Sequence, residues 1–141
     1  MNIPNNTYYL RFPSVLRKAL QNGEVAFDSD VEIEYMPFTV FRGITREKGE
    51  SLEIRRSDFL SYAELNKKPR GMEYNIGWYS CSCFKDSKEL ETALKLPRYN
   101  KKIISGFIKS EYGPQKTNND TGHVDWWLYE NTEVEKDFKV M

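Results

Sequence analysis

Ser80 and Ser82 stand in a strand-like run, Gly77-Trp-Tyr-Ser-Cys-Ser-Cys-Phe84, where an ordinary core strand would carry Val or Ile. Alternation along an extended chain puts Trp78, Ser80, Ser82 and Phe84 on one face and Tyr79, Cys81 and Cys83 on the other. Two hydroxyls between two aromatic rings make the floor of a small polar pocket. The competing reading is a half-buried strand whose Ser and Cys fit beneath larger neighbours, with their polar atoms satisfied by nearby backbone.

A second cluster is Gly122-His-Val-Asp-Trp-Trp-Leu-Tyr-Glu130. Here alternation sends His123, Asp125, Trp127 and Tyr129 to one side, and Val124, Trp126, Leu128 and Glu130 to the other. A histidine, a carboxylate, an indole and a phenol in a row suit a ligand platform, a partner-binding surface, or a general-base site in which Asp125 orients His123. A sheet strand packed beneath a helix is the alternative, since aromatics are strand formers first. Nothing in the sequence ties a serine to His123, the sole histidine, so no Ser/His/Asp triad follows from it.

Metal chemistry lacks ligands. Cys81 and Cys83 are the only cysteines, two apart on one strand face, and no second Cys pair or further His completes a zinc set. That spacing does not close an ordinary disulfide in an extended chain, so both are expected as free, packed thiols. The expectation is no metal.

The chain of 141 residues carries 21 basic and 21 acidic side chains. A net charge of zero argues against bulk electrostatic binding to nucleic acid or to an anionic membrane. Basic spots at Lys67, Lys68, Arg70, Arg98, Lys101 and Lys102, with Tyr99 among them, flank expected helix ends, where cations complement the helix dipole. No apolar run approaches the ~18 residues of a spanning helix, and Met1-Asn-Ile-Pro-Asn-Asn6 lacks the features of a signal peptide. A cytoplasmic protein without membrane association is the expectation.

The elements that must position these residues can be laid out in order. Ser14 to Gly23 reads as an amphipathic helix with Pro13 at its start and Gly23 as its cap. Val31 to Tyr35 alternates as a strand, Met36-Pro37 marks a bend, and Phe38 to Ile44 is apolar enough for a central strand. Ser57 to Leu65 reads as a capped helix ended by Lys67-Lys-Pro-Arg-Gly71, and Gly77 to Phe84 as a strand. Asp86 to Leu96 reads as a second capped helix stopped by Pro97. Ile103 to Tyr112 and Val124 to Glu130 are strand-like, joined by a long mobile turn over Gly113 to Gly122. With no repeat and no break in composition, this order predicts a single α+β domain over residues 1–141, with one twisted, largely antiparallel sheet and two to three short helices.

Phe41-Arg42-Gly43 closes the apolar strand, where a guanidinium must find an anion or a carbonyl, and its fork suits phosphate. Arg42, then Ser80-Cys-Ser82, then Glu133-Val-Glu135 follow one another along the chain. This order resembles the arginine, Ser-x-Ser, Glu-x-Glu layout of the ADP-ribosyltransferases that use NAD. The resemblance implies that Arg42 holds the dinucleotide phosphates, Ser80 positions the nicotinamide half, and Glu135 supports an oxocarbenium-like transition state. Glu130 is an alternative carboxylate, and the middle motif departs from the family in carrying Cys81 where Thr is usual. Ser82, Trp78 and Phe84 would complete the ligand pocket, with an aromatic ring free to stack on nicotinamide.

Two functions are therefore expected as alternatives. One is a pocket for a nucleotide-like ligand, extending to NAD-dependent glycosyl transfer with Ser80 and Glu135 as catalytic residues. The other is a non-enzymatic accessory or inhibitor protein, of the kind found in mobile elements such as phage, gripping a protein partner through Trp127, Tyr129, His123 and Asp125. The first requires Arg42 and Ser80 on adjacent strands, facing one cleft.

Overall fold

The computed structural model describes residues 8–67 and 75–141. It consists of one six-stranded sheet and two α-helices, a single α+β arrangement in which every neighbouring strand pair is antiparallel. The strands are β1 (Phe38–Thr45), β2 (Cys81–Phe84), β3 (Lys101–Ile108), β4 (Gln115–Thr117), β5 (His123–Trp126) and β6 (Phe138–Val140). They lie in the order β4-β5-β2-β1-β3-β6.

The helices form where their caps say they should. Helix α1 (Ser14–Gln21) follows Pro13 and turns Leu16 and Ala19 inward, and the chain leaves it through Gly23 at φ +74°. Helix α2 (Ser87–Leu94) starts at Asp86, whose carboxylate accepts the Lys88 amide at 2.7 Å, and ends with Lys95 in the left-handed region.

Four local expectations are corrected. Val31 to Tyr35 forms no strand; only Glu32 bridges to Gln115, so its Val31 and Ile33 pack into a core without joining the ladder. Ser57 to Leu65 is not a helix but a 3-10 turn at Arg56–Phe59 followed by an extended Leu60 and a further turn. Ser61 and Glu64 hydrogen-bond each other's backbone amides there, a local pattern that competes with the helix. The expected stop at Lys67 to Gly71 lies outside the described residues from position 68 onward. The Gly77 to Phe84 strand begins only at Cys81, because Asn75 Oδ1 accepts the Gly77 amide at 2.7 Å and folds Ile76–Tyr79 into a 3-10 turn. Finally, the segment from Gly113 to Gly122 contains β4, and the last residues supply β6.

Two hydrophobic cores hold the domain together. Val40, Ile44, Cys81, Cys83, Ile104, Val124 and Trp126 build one core with Phe59, Val134 and Phe138. The second core joins α1 to Phe27, Val31, Trp78, Tyr79, Trp127 and Tyr129. Pairing continues past β5, since the Trp127 amide donates to Pro114 O at 3.0 Å and the Tyr129 amide to Tyr112 O at 2.9 Å. Val124 and Trp126 to Tyr129 are buried whichever way they point, while His123 and Asp125 stay partly exposed and Glu130 is exposed.

Candidate functional site

Strands β1 and β2 meet in a single register pair, Phe41 with Phe84. By contrast β1 pairs with β3 along all eight of its residues. Beyond Phe41 and Phe84 the two strands part, and a side chain takes over: Arg42 Nη1 donates to the Ser82 carbonyl at 2.6 Å, and Arg42 Nε to the Asp58 carbonyl at 2.9 Å. The guanidinium has found carbonyl partners, one of the two outcomes its position demanded. Its Nη2 makes no hydrogen bond among the described residues.

A cleft of about 350 Å³ opens at this gap, lined by Arg42, Gly43, Ser57, Asp58, Tyr62, Ser80, Ser82, Phe84, Leu90, Leu94 and Lys101 among others. That volume is near the lower end of the ~300–1,000 Å³ typical of ligand sites. Helix α2 walls one side through Leu90 and Leu94. Gly43 allows this approach, because a Cβ at that position would collide with Leu94 Cδ1.

The charges in the cleft do not cancel. Asp58 is committed elsewhere: its two carboxylate oxygens accept from Arg46 Nη1 at 2.7 Å and Nη2 at 2.6 Å, and one also accepts the Arg55 amide. Burial opposes ionisation of Asp58, but the Arg46 bonds outweigh it and hold its pKa below the usual carboxylate value. Lys101 donates to Thr45 Oγ1 at 2.7 Å, and its pKa is held below the ordinary lysine value by burial and then by repulsion from Arg98, Lys67 and Arg42. Lys101 therefore feels the field of other cations, of which Arg42 shares the cleft with it.

Of the residues singled out from sequence, the structure brings Arg42 of β1, Ser82 and Phe84 of β2, and Ser80 just before β2 to this cleft. They do not arrive from one face. Register places Arg42 opposite Cys83, with Val40 and Ile44, and Ser82 on the other face, so the guanidinium reaches the cleft through the gap. Trp78 is not a ring beside Ser80: it is buried in the 3-10 turn, its indole N–H donates to Lys67 O at 2.5 Å, and its ring packs on Tyr79. Glu135 lies in the turn Val134–Asp137 that leads into β6, and it does not line the cleft. Glu130 is exposed and pairs loosely with Arg17 at 3.9 Å.

The partner-binding surface assigned to Trp127 and Tyr129 is also corrected. Their relative exposures are 1% and 2%, Trp127 donates its indole N–H to Ile76 O at 2.9 Å, and both rings pack on Phe12 or Phe27. Neither of these two rings leaves surface for a partner.

His123 and Asp125 remain accessible on β5, and they engage the two serines. Ser82 Oγ lies 2.7 Å from His123 Nε2, while Ser80 Oγ lies 2.8 Å from both Asp125 Oδ1 and Gly77 O. This cross-strand network was missed from sequence, as were Lys101, Ser57 and Tyr62 in the cleft. The i, i+2 spacing of His123 and Asp125 was the available signal; the serine partner depends on a register between segments about forty residues apart in the chain.

The fold and cleft define an α+β domain with a cation-lined site at the parting of two central strands. Among protein-family models, curated proteins and solved structures, none matches this chain. Among the described residues no helix is long and apolar enough to cross a membrane, and no cluster of three or more His, Cys, Asp or Glu side chains is placed to hold a metal.

Proposed function

We propose that the cleft between β1 and β2 binds a nucleotide-like, phosphate-bearing ligand. The observation that carries this reading is the convergence of Arg42 and Lys101 on a cleft whose one lining carboxylate among the described residues, Asp58, is already neutralised by Arg46. A site with uncompensated cations recruits an anion, and the free Nη2 of Arg42 offers donors of the kind that phosphate oxygens accept. The hydroxyls of Ser57, Ser80 and Ser82 and the ring of Phe84 supply the remaining polar and flat surfaces that a nucleoside needs.

The reading stops at binding: Arg42 enters the cleft from the sheet face opposite to Ser80 and Ser82, and neither Glu135 nor Asp125 lines it, so glycosyl transfer from NAD is not part of the proposal.

Thermal unfolding with ADP-ribose, NAD and inorganic phosphate tests the binding. A ligand at ten times its Kd stabilises the fold by about 1.4 kcal/mol, a rise in melting temperature of about 4 °C for a chain of this size. The expected result is a rise with both nucleotides that Lys101→Met removes. Unchanged melting at millimolar nucleotide overturns the reading.

A further inference from the structure

The register of β2 on β5 pairs Ser82 with Asp125 and Phe84 with His123, so Ser82, His123 and Asp125 share one face of the sheet. Ser82 Oγ stands 2.7 Å from His123 Nε2, and His123 Nδ1 stands 3.9 Å from Asp125 Oδ1. For the hydroxyl to donate to Nε2, the imidazole must carry its proton on Nδ1, the tautomer that the Asp125 carboxylate favours. The second distance exceeds a hydrogen bond, as is common in catalytic arrays before substrate closes them. Ser80 does not block that contact: its single hydroxyl proton has Gly77 O as an equally close acceptor. The ring of Phe84 meets His123 edge to face at 5.2 Å and fixes the plane of the imidazole.

The array is accessible, and its serine reaches the cleft. His123 and Asp125 keep side-chain exposures of 33% and 28%, and Ser82 itself lines the cleft beside Arg42. We propose that Ser82 is a nucleophile activated by His123 and oriented through Asp125, giving the cleft an ester-cleaving activity on small acyl esters that carry an anionic group. The triad chemistry defines the ester, and Lys101, the cation of the cleft not engaged with the reacting carbonyl, defines the anionic group.

In the first step Ser82 Oγ bonds to the acyl carbon while its proton passes to His123 Nε2, and Arg42 Nη2 donates to the developing oxyanion. The carbon–oxygen bond to the alcohol then breaks, and the departing alkoxide takes the proton from His123. Water attacks the acyl-serine with His123 again accepting a proton, the bond from carbon to Ser82 Oγ breaks, and Ser82 regains its hydrogen. No other reactant is consumed.

A fluorophosphonate probe tests the nucleophile on the full chain without any nucleotide, so failure of nucleotide binding leaves this result independent. Stoichiometric labelling mapped to Ser82 by peptide mass is expected, slowed ~100-fold or more in His123→Gln, whose circular dichroism reports whether it folds. 4-Nitrophenyl hemisuccinate should be cleaved faster than 4-nitrophenyl acetate. Folded wild-type protein that takes no label, or takes it at another hydroxyl, overturns the nucleophile whatever the variant does. Labelling at the wild-type rate in folded His123→Gln overturns the role of His123, and equal cleavage of the two esters overturns the anionic substrate class.

Discussion

Arg46 and Asp58 form a two-pronged ion pair at the sheet edge of the cleft, with side-chain exposures of only 4% and 9%. Arg46 spends its remaining donors on the Thr45, Ser51 and Glu53 carbonyls, so one guanidinium ties the end of β1 and the loop after it to a single carboxylate. The backbone carbonyl of the same aspartate takes Arg42 Nε. Asp58 therefore couples the loop after β1 to the guanidinium in the cleft.

Removing that carboxylate leaves a buried, uncompensated guanidinium. Asp58→Asn is expected to cost about 3 kcal/mol or more, measured by urea unfolding. Because the folded pKa of Asp58 is depressed, its contribution is present in full above about pH 4 and is lost as pH falls through the depressed value. The acid limb of stability against pH should be shallower in the variant. An identical limb would assign acid sensitivity to other carboxylates, such as Asp137, which Tyr112 and Lys109 also hold low.

Trp126 and Trp127 belong to opposite cores, with exposures of 0% and 1%. Trp126 packs among Phe59, Tyr112 and Phe138, and Trp127 meets Phe27 edge to face at 5.1 Å. Each change to alanine is expected to cost about 3–5 kcal/mol, with similar falls in melting temperature. A near-neutral Trp127→Ala would return that ring to the surface.

The thiols of Cys81 and Cys83 are free and buried at the centre of the sheet. The hydrogen bond to Cys81 and then burial push Cys83 well up from the ordinary thiol value. Burial pushes Cys81 the same way, but its bond with Cys83 and the guanidiniums of Arg42 and Arg56 outweigh it. Access decides the outcome, since a thiolate must meet its reagent. Titration with a disulfide reagent should be slow in native buffer and rapid after denaturation; fast native modification of both would contradict an interior β2.

The parts of this fold that were legible in sequence are those fixed by short-range physics. Pro13 and Asp86 start helices, and the apolar runs of β1 and β3 admit no competing period. Strands β4 and β6 were not legible, because three-residue edge strands such as Gln115-Lys-Thr117 carry no periodicity and exist through a distant partner. Strand alternation and motif order pointed to Arg42, Ser80, Ser82 and Phe84, and all four line the cleft. Trp78 was misplaced because one side-chain bond from Asn75 turned the backbone before the strand began. Glu135 was chosen from its motif, and nothing in that motif reports which side of a sheet it will reach.

The single pair Phe41 with Phe84 gives the sheet an unusual mechanical character. It divides six strands into two three-stranded plates, β4-β5-β2 and β1-β3-β6, each internally laddered and joined at one point. Twisting one plate against the other breaks almost no backbone pairing, so the resistance rests on the core that both plates share, from Val40, Ile104 and Phe138 to Cys83, Val124 and Trp126, and on the Arg42 bonds and α2 at the joint. The aperture of the cleft is thus a matter of side-chain packing and two guanidinium bonds more than of backbone ladder, and a ligand that drew the Arg42 guanidinium from the Ser82 carbonyl would loosen the joint locally.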